Sequence, residues 1–193
     1  MYLPIVLASS SPRRQDLLKQ IGLSFSIEHA DVDESVLSGE DPEEHTLRLA
    51  REKAKAVALR RGPAIVIGAD TVVVVDGRIL GKPADLEDAQ RMLFLLSGRE
   101  HRVISGVAVL ASDRGALDVR NAVTAVRFRT LGRDEVAAYV ATGEPLDKAG
   151  AYGIQGRGAL LVESIRGCYF NVVGLPLSLL GTMLAPYGVL PGR

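Results

Sequence analysis

Residues able to do chemistry gather in a few short runs of this 193-residue chain. The densest is Asp147-Lys148-Ala149-Gly150-Ala151-Tyr152-Gly153-Ile154-Gln155-Gly156, where an acid, a base, an amide and three glycines share ten positions. Glycine costs a helix or strand about 0.5–1 kcal/mol relative to alanine. The run therefore suits a backbone passing close to a ligand, with Lys148 and Gln155 as the polar groups offered. An ordinary glycine-rich loop would share that composition.

A second run, Ser9-Ser10-Ser11-Pro12-Arg13-Arg14, leads from an apolar strand into a helix. Free backbone N–H groups at a helix start carry partial positive charge and bind anions. Ser9 and its neighbours add hydroxyl donors, and Arg13 and Arg14 are able to grip phosphate oxygens bidentately. A capped helix with solvated arginines is the plainer alternative. The run is neither a Walker loop nor a dinucleotide fingerprint, since neither Gly-Lys-Ser nor Gly-x-Gly-x-x-Gly occurs.

In Gly68-Ala69-Asp70-Thr71 a carboxylate follows an apolar run. A charge there is costly unless solvated, paired or bound to metal, and strand ends are where α/β proteins place active sites. Asp70 is thus the first choice for a general base or metal ligand, with a turn cap as the alternative. Glu34, in the acidic stretch 30–39, is a candidate second carboxylate. Magnesium takes one or two carboxylates plus substrate phosphates and water. Lysine is scarce, at Lys19, Lys53, Lys55, Lys82 and Lys148 among 23 basic residues. A compact point charge suits phosphate, which singles out Lys53, Lys82 and Lys148. His29, His45 and His101 lack ligand spacing, which argues against zinc and against a Ser-His-Asp triad. Cys168 reads as a small core residue, and Tyr139, Tyr152 and Tyr169 as core or as base-stacking rings. Polyanion grips beside hard-metal carboxylates imply phosphoryl chemistry on a nucleotide-sized ligand.

The elements that must position these residues follow from pattern and punctuation. Strands are expected over 3–8, 24–28, 64–69, 72–80 (folded back at Asp76-Gly77), 101–111, 116–131 and 159–165. Helices are expected over 12–21, 42–61, 85–96, 133–142 and 175–184. Alternating helices and strands, some in hairpins, predict an α/β fold with a mixed sheet wrapped by helices. No repeat or linker breaks the chain, so residues 1–193 read as a single domain. An apolar content of 47% with 24% charged residues is globular. Zero net charge argues against a nucleic-acid or anionic membrane surface. One cysteine fits a reducing compartment, and no run suits a signal peptide or membrane span. A soluble, cytoplasmic chain is expected.

Taken together, these motifs resemble the Maf family of nucleoside triphosphate pyrophosphatases, first known as septum-formation inhibitors. The resemblance is carried by Ser9–Arg14, Asp33-Glu34, Glu52-Lys53-Ala54, Gly68–Val73, Gly81-Lys82-Pro83, Ser97-Gly98, His101-x-Val103, Gly143-Glu144-Pro145, Asp147–Gly156 and Asn171–Pro176. Ser105 and Cys168 stand where threonine and serine are expected. The resemblance implies hydrolysis of a nucleoside triphosphate to monophosphate and pyrophosphate with a divalent cation, magnesium or manganese. It implies that Asp70 is the proton acceptor and that Arg13, Thr71 and Gln155 govern base choice. Arg13 with Ala69-Asp70-Thr71 and Ile154-Gln155-Gly156 resembles the dTTP/UTP branch rather than the 7-methyl-GTP branch. The implied fold is two-lobed with a central cleft, similar to the inosine-triphosphate pyrophosphatase fold and often a homodimer. A nucleotide-binding regulator of cell division without turnover is the alternative.

Overall fold

The computed structural model of the chain describes residues 3–189. The chain forms two compact units. The first takes the chain up to Asp70, Ser105–Ala122 and the part from Gly174 onward; the second takes Thr71–Ile104 and Val123–Val173.

The first unit begins with β1 (Ile5–Ala8), fully buried and apolar. It pairs in parallel with β2 (Ser26–Ile27) and with β3 (Ile65–Val75), in a register that sets Ala8 opposite Gly68. Between β1 and β2 lies α1 (Pro12–Gln20), with Ser11 at its N-cap, proline in its first turn and Gly22 in a left-handed conformation just beyond. Helix α2 (Pro42–Ala58) is capped by Asp41, whose side chain accepts the Glu43 N–H at 2.8 Å. Its buried face carries Leu49, Ala50, Lys53, Ala54 and Val57, of which Ala50, Ala54 and Val57 join Val6, Ala8, Val66, Ala108 and Leu110 in a core. Gly68 and Gly106 let this helix approach unusually closely. A Cβ on Gly68 would overlap the Ala50 carbonyl and lie 2.8 Å from the Ala54 nitrogen, and one on Gly106 would overlap the Thr46 carbonyl. Helix α6 (Leu177–Leu184) also belongs to this unit.

The second unit holds the outer half of β3, which pairs antiparallel with β4 (Arg78–Leu80) through Asp76-Gly77, both at positive φ. Helix α3 (Leu86–Leu96) is capped by Asp85, whose carboxylate accepts the Asp88 N–H at 2.8 Å. Strands β5 (Glu100–Ala111) and β6 (Ala116–Phe128) run through both units, as β3 does. Helix α4 (Arg133–Val140), a series of 3-10 turns over Glu144–Asp147, Ala149–Ala151 and Gly156–Leu161, strand β7 (Val162–Arg166) and α5 (Tyr169–Val173) complete this unit before α6. Its core gathers Val73, Leu93, Leu96, Phe128, Val136, Tyr139 and Tyr152. The seven strands form one mixed sheet in the order β2-β1-β3-β5-β6-β7, with β4 beside β3. The expected α/β class and mixed, helix-flanked sheet are borne out.

Three local expectations change. β3 does not stop at Ala69 but continues through Asp70 and Thr71 to Val75, because the polar pair interrupts the apolar pattern without breaking the ladder. The strand expected from Ala159 starts at Val162, since Gly156–Leu161 coils as a 3-10 turn. The last helix, expected over 175–184, is α6 at Leu177–Leu184, and a short unexpected helix, α5, precedes it across Gly174 at φ 125° and Pro176.

Candidate active site

The first unit assembles a charged cluster where the parallel pairing of β1 with β3 ends. The Ala8–Gly68 register sets Ser9 one residue, and Asp70 two residues, beyond a paired position on adjacent strands. Asp70 is 8% exposed, and its position inside a strand rather than at a strand end makes a partner obligatory. That partner is Lys53, carried on the buried face of α2 by the close helix approach at Gly68. Lys53 Nζ donates to Asp70 Oδ1 at 2.8 Å. The same ammonium pairs with Glu34 Oε1 at 2.6 Å. Two carboxylates from distant parts of the sequence thus converge on one cationic point.

Glu34 sits in a stretch without regular structure, so something must hold it. Glu40 does so from the base of α2. Its Oε1 accepts from Arg48 Nε at 2.5 Å, while Oε2 accepts from Arg48 NH2 and the Leu37 N–H and faces His45 Nδ1 at 2.9 Å. Arg48 NH2 also donates to the Ser35 carbonyl at 2.9 Å, next to Glu34. Arg48 hydrogen bonding, opposed by burial, holds the Glu40 carboxyl at about 2.

On the other side of Asp70, Arg14 Nη1 donates to Ser9 Oγ at 3.0 Å and its Nε to the Gly174 carbonyl at 2.9 Å. Ser9 Oγ also accepts the Ser11 N–H at 3.3 Å, so the serine run is organised by this hydroxyl, while Ser11 at the N-cap makes no side-chain capping bond. Burial pushes the Arg14 guanidinium below its ordinary value, with Asp70 and Glu34 opposing that shift and Arg13 adding to it. Ser9, Arg13, Arg14, Glu34, Lys53 and Asp70 therefore share one electrostatic neighbourhood.

The remaining candidates belong to the second unit. Thr71 follows Asp70 directly on β3 and is half-buried. Lys82 is exposed, in the connection between β4 and α3. Gln155 is exposed, immediately before the 3-10 turn Gly156–Leu161. Lys148 is more confined than a free phosphate grip would be. Its Nζ donates to the Glu144 carbonyl at 2.5 Å and to Asp147 Oδ1 at 2.6 Å, so any anion it binds must displace or share these acceptors. Tyr139 and Tyr152 are core residues, whereas Tyr169 is 41% exposed. His101 lies buried, with Nε2 2.7 Å from Tyr152 Oη.

Local spacing did not single out Glu40 or Arg48, the residues that hold Glu34. The Glu40–Arg48 pair spans a helix N-cap, outside the i to i+4 window in which helical pairs are read.

The donor set suits a hard divalent cation. Both candidate ligands are carboxylates, and the point they share already attracts a cation, the Lys53 ammonium. Among the described residues no group of three or more His, Cys, Asp or Glu gathers to hold a metal. The protein would thus offer two oxygen ligands, the number magnesium commonly takes when phosphates complete its shell. No helix among the described residues is long and apolar enough to cross a membrane.

The chain is 57% identical over 185 residues to a dTTP/UTP pyrophosphatase of Moorella thermoacetica, covering 96% of this chain and 95% of that protein. It is 53% identical over 184 residues to the protein of the same name from Symbiobacterium thermophilum, covering 95% and 94%. The solved structure of the Staphylococcus aureus Ham1 protein is similar in fold, with a TM-score of 0.52 at 17% identity over 95% of this chain and 98% of that one. The family model described as Maf-like protein matches residues 4–187, which is nearly the whole chain, and the protein belongs to the Maf family.

Proposed function

We propose that the protein is a nucleoside triphosphate pyrophosphatase acting on dTTP and UTP, releasing the monophosphate and pyrophosphate. The observation that carries the proposal is the pair Asp70 and Glu34 converging on Lys53, next to Ser9, Arg13 and Arg14. Its relatives named dTTP/UTP pyrophosphatase, at 49–57% identity, support the choice of substrate. Residues 1–193 act as one functional domain in this reading.

The residues divide the work. Arg13, Arg14 and Ser9 bind phosphate oxygens, and Lys53 adds a positive charge within the cluster. Lys82 and Lys148 are further cationic groups for a polyphosphate. Asp70 Oδ2 accepts the proton of the attacking water as its oxygen bonds to the α-phosphorus, and the pyrophosphate leaves with the electrons of the broken anhydride bond. A divalent cation, magnesium or manganese, held by Glu34 and Asp70, would supply neutralisation of the phosphate charge. Lys53 keeps the two carboxylates oriented for that role.

Base choice falls to Arg13, Thr71 and Gln155. Gln155 offers a donor and an acceptor, and the Thr71 hydroxyl does likewise. Uracil and thymine present carbonyl, N–H and carbonyl in return. Cytosine replaces the ring N–H with an acceptor and one carbonyl with an amine, which mismatches the donors and acceptors offered to the base edge. The protein works in the cytoplasm, needs no nucleic acid or membrane partner, and is a homodimer in this reading.

The test is pyrophosphate release from a panel of triphosphates with magnesium or manganese. UTP and dTTP are expected to be hydrolysed faster than CTP and GTP. Equal rates on all four would remove the base assignment. Tight binding of UTP without turnover would make the protein a nucleotide-binding regulator instead.

A further inference from the structure

The segment that presents Gln155 has no ladder or helix of its own to hold it. Gly150 and Gly156 sit at φ 68° and 65°, Ala151 at φ 59°, and Gln155 is extended and exposed. The backbone on both sides of Gln155 ends on one phenol–carboxylate pair, Tyr139 and Glu144. Glu144 Oε2 accepts the Arg157 N–H at 3.2 Å, and Oε1 accepts the Gly158 N–H at 3.1 Å. Tyr139 Oη donates to Glu144 Oε1 at 3.0 Å and accepts the Gly153 N–H at 3.4 Å. Tyr139 is 5% exposed on α4 and packs in the core of the second unit, so the pair has a rigid base.

The glycines fit around this pair. A Cβ on Gly156 would lie 2.9 Å from Glu144 Oε2, and one on Gly158 would lie 2.6 Å from Tyr139 Oη. A Cβ on Gly153 would lie 2.9 Å from Lys148 Cε. Lys148 Nζ in turn donates to the Glu144 carbonyl. The glycine-rich composition thus serves the packing of a carboxylate, a phenol and a lysine stem against the backbone that carries Gln155.

We propose that Glu144, with Tyr139, is a positioning residue for base selection: its carboxylate fixes the backbone from Gly153 to Gly158 and thereby aims Gln155. The proposal rests on Gln155 reading the base. Glu144 needs no contact with the nucleotide and acts through Gln155. A carboxylate accepts at both oxygens. Glutamine in its place would set an NH2 against the Arg157 or Gly158 N–H, so Glu144→Gln breaks the brace with almost no change in volume.

The experiment is a mutant cycle on the ratio of kcat/KM for UTP over CTP, with hydrogen exchange of the 153–158 amides measured on the same proteins. Glu144→Gln is expected to speed exchange at Gly153, Arg157 and Gly158. It should lower the ratio roughly tenfold, within the range that misplacing a recognition group costs, through KM for UTP more than through kcat. With Gln155 already changed to Ala, Glu144→Gln should leave the ratio where Gln155→Ala has set it, because residues acting as one unit are not additive. An unchanged ratio in Glu144→Gln while Gln155→Ala lowers it overturns the proposal and leaves Gln155 as the base reader. Additive losses overturn it too, since Glu144 would then act by another route. If Gln155→Ala leaves the ratio at the wild-type value, the base assignment itself fails and the selectivity role of Glu144 falls with it. Should Glu144→Gln not fold, Tyr139→Phe removes the Gly153 arm and the phenol's hydrogen bond to Glu144 Oε1, leaves the Arg157 and Gly158 arms in place, and carries the same two measurements.

Discussion

Lys53→Met keeps the length and apolar stem of the side chain and deletes the ammonium. In the native protein that ammonium lies 2.8 Å from Asp70 Oδ1 and 2.6 Å from Glu34 Oε1. The side chains of Lys53 and Asp70 are 8% and 11% exposed, so their pair is nearly dry, whereas Glu34 at 56% is solvated. Breaking a buried pair by removing one partner typically costs about 3–5 kcal/mol, because the remaining charge is uncompensated. The Glu34 arm adds at most about 1 kcal/mol, as exposed pairs do. A loss near 3 kcal/mol is expected, a large part of the roughly 5–15 kcal/mol that holds a domain folded. With a urea slope of about 2 kcal/mol/M, the midpoint should fall by about 1.5 M. Lys53→Met/Asp70→Asn should recover most of that loss, since the stranded charge is gone. Magnesium should raise the midpoint of Lys53→Met more than that of the wild type, because the carboxylates have lost their internal cation. Urea melts of the three proteins, with and without magnesium, read each of these shifts. A Lys53→Met midpoint equal to wild type, or a double variant less stable than the single one, would refute the reasoning.

Three further outcomes are expected. Asp70→Asn removes the proton acceptor at nearly constant size, so kcat for UTP should drop roughly 10²–10⁴-fold while UTP binding, measured by calorimetry, persists. Burial lowers the pKa of His101 from 6.5 to about 4, so the unfolded chain binds the proton more readily. Its contribution of about 3 kcal/mol is present above pH 6.5 and is lost as pH falls toward 4. Glu40, lowered from 4.5 to about 2, loses its contribution in a lower window, from pH 4.5 downward. Urea midpoints measured against pH should show the upper window vanish in His101→Gln while the lower one remains. Gly68→Ala drives a Cβ into the Ala50 carbonyl and pushes α2 off β3. Overpacking of this kind costs about 1–3 kcal/mol or more, and the drop should appear in thermal melts together with lost activity, because Lys53 moves away from Asp70.

Much of this was legible in local sequence. Pro12 and Gly22 mark the ends of α1, Asp85 caps α3, and Asp76-Gly77 turns β3 into β4. These are signals confined to a few neighbouring residues. The charged cluster was legible as residue types and not as partners. Lys53 and Asp70 are 17 positions apart and meet only because Gly68 lets a helix lie against a strand. The continuation of β3 through Asp70 was hidden for a related reason: the ion pair that makes a buried carboxylate tolerable comes from another element. The supports of the loops were less visible still. Glu40 holds Glu34 through Arg48, and Glu144 reaches Arg157 and Gly158 across 13 and 14 positions, through backbone amides that no side-chain pattern records.

The central claim is that water attacks the α-phosphorus of the substrate. Hydrolysis of UTP in water enriched in oxygen-18, followed by mass spectrometry of the products, tests it most directly. The residues gathered around Asp70 predict one labelled oxygen in UMP and unlabelled pyrophosphate. Label in the pyrophosphate, or UDP and orthophosphate as the first products, would contradict it.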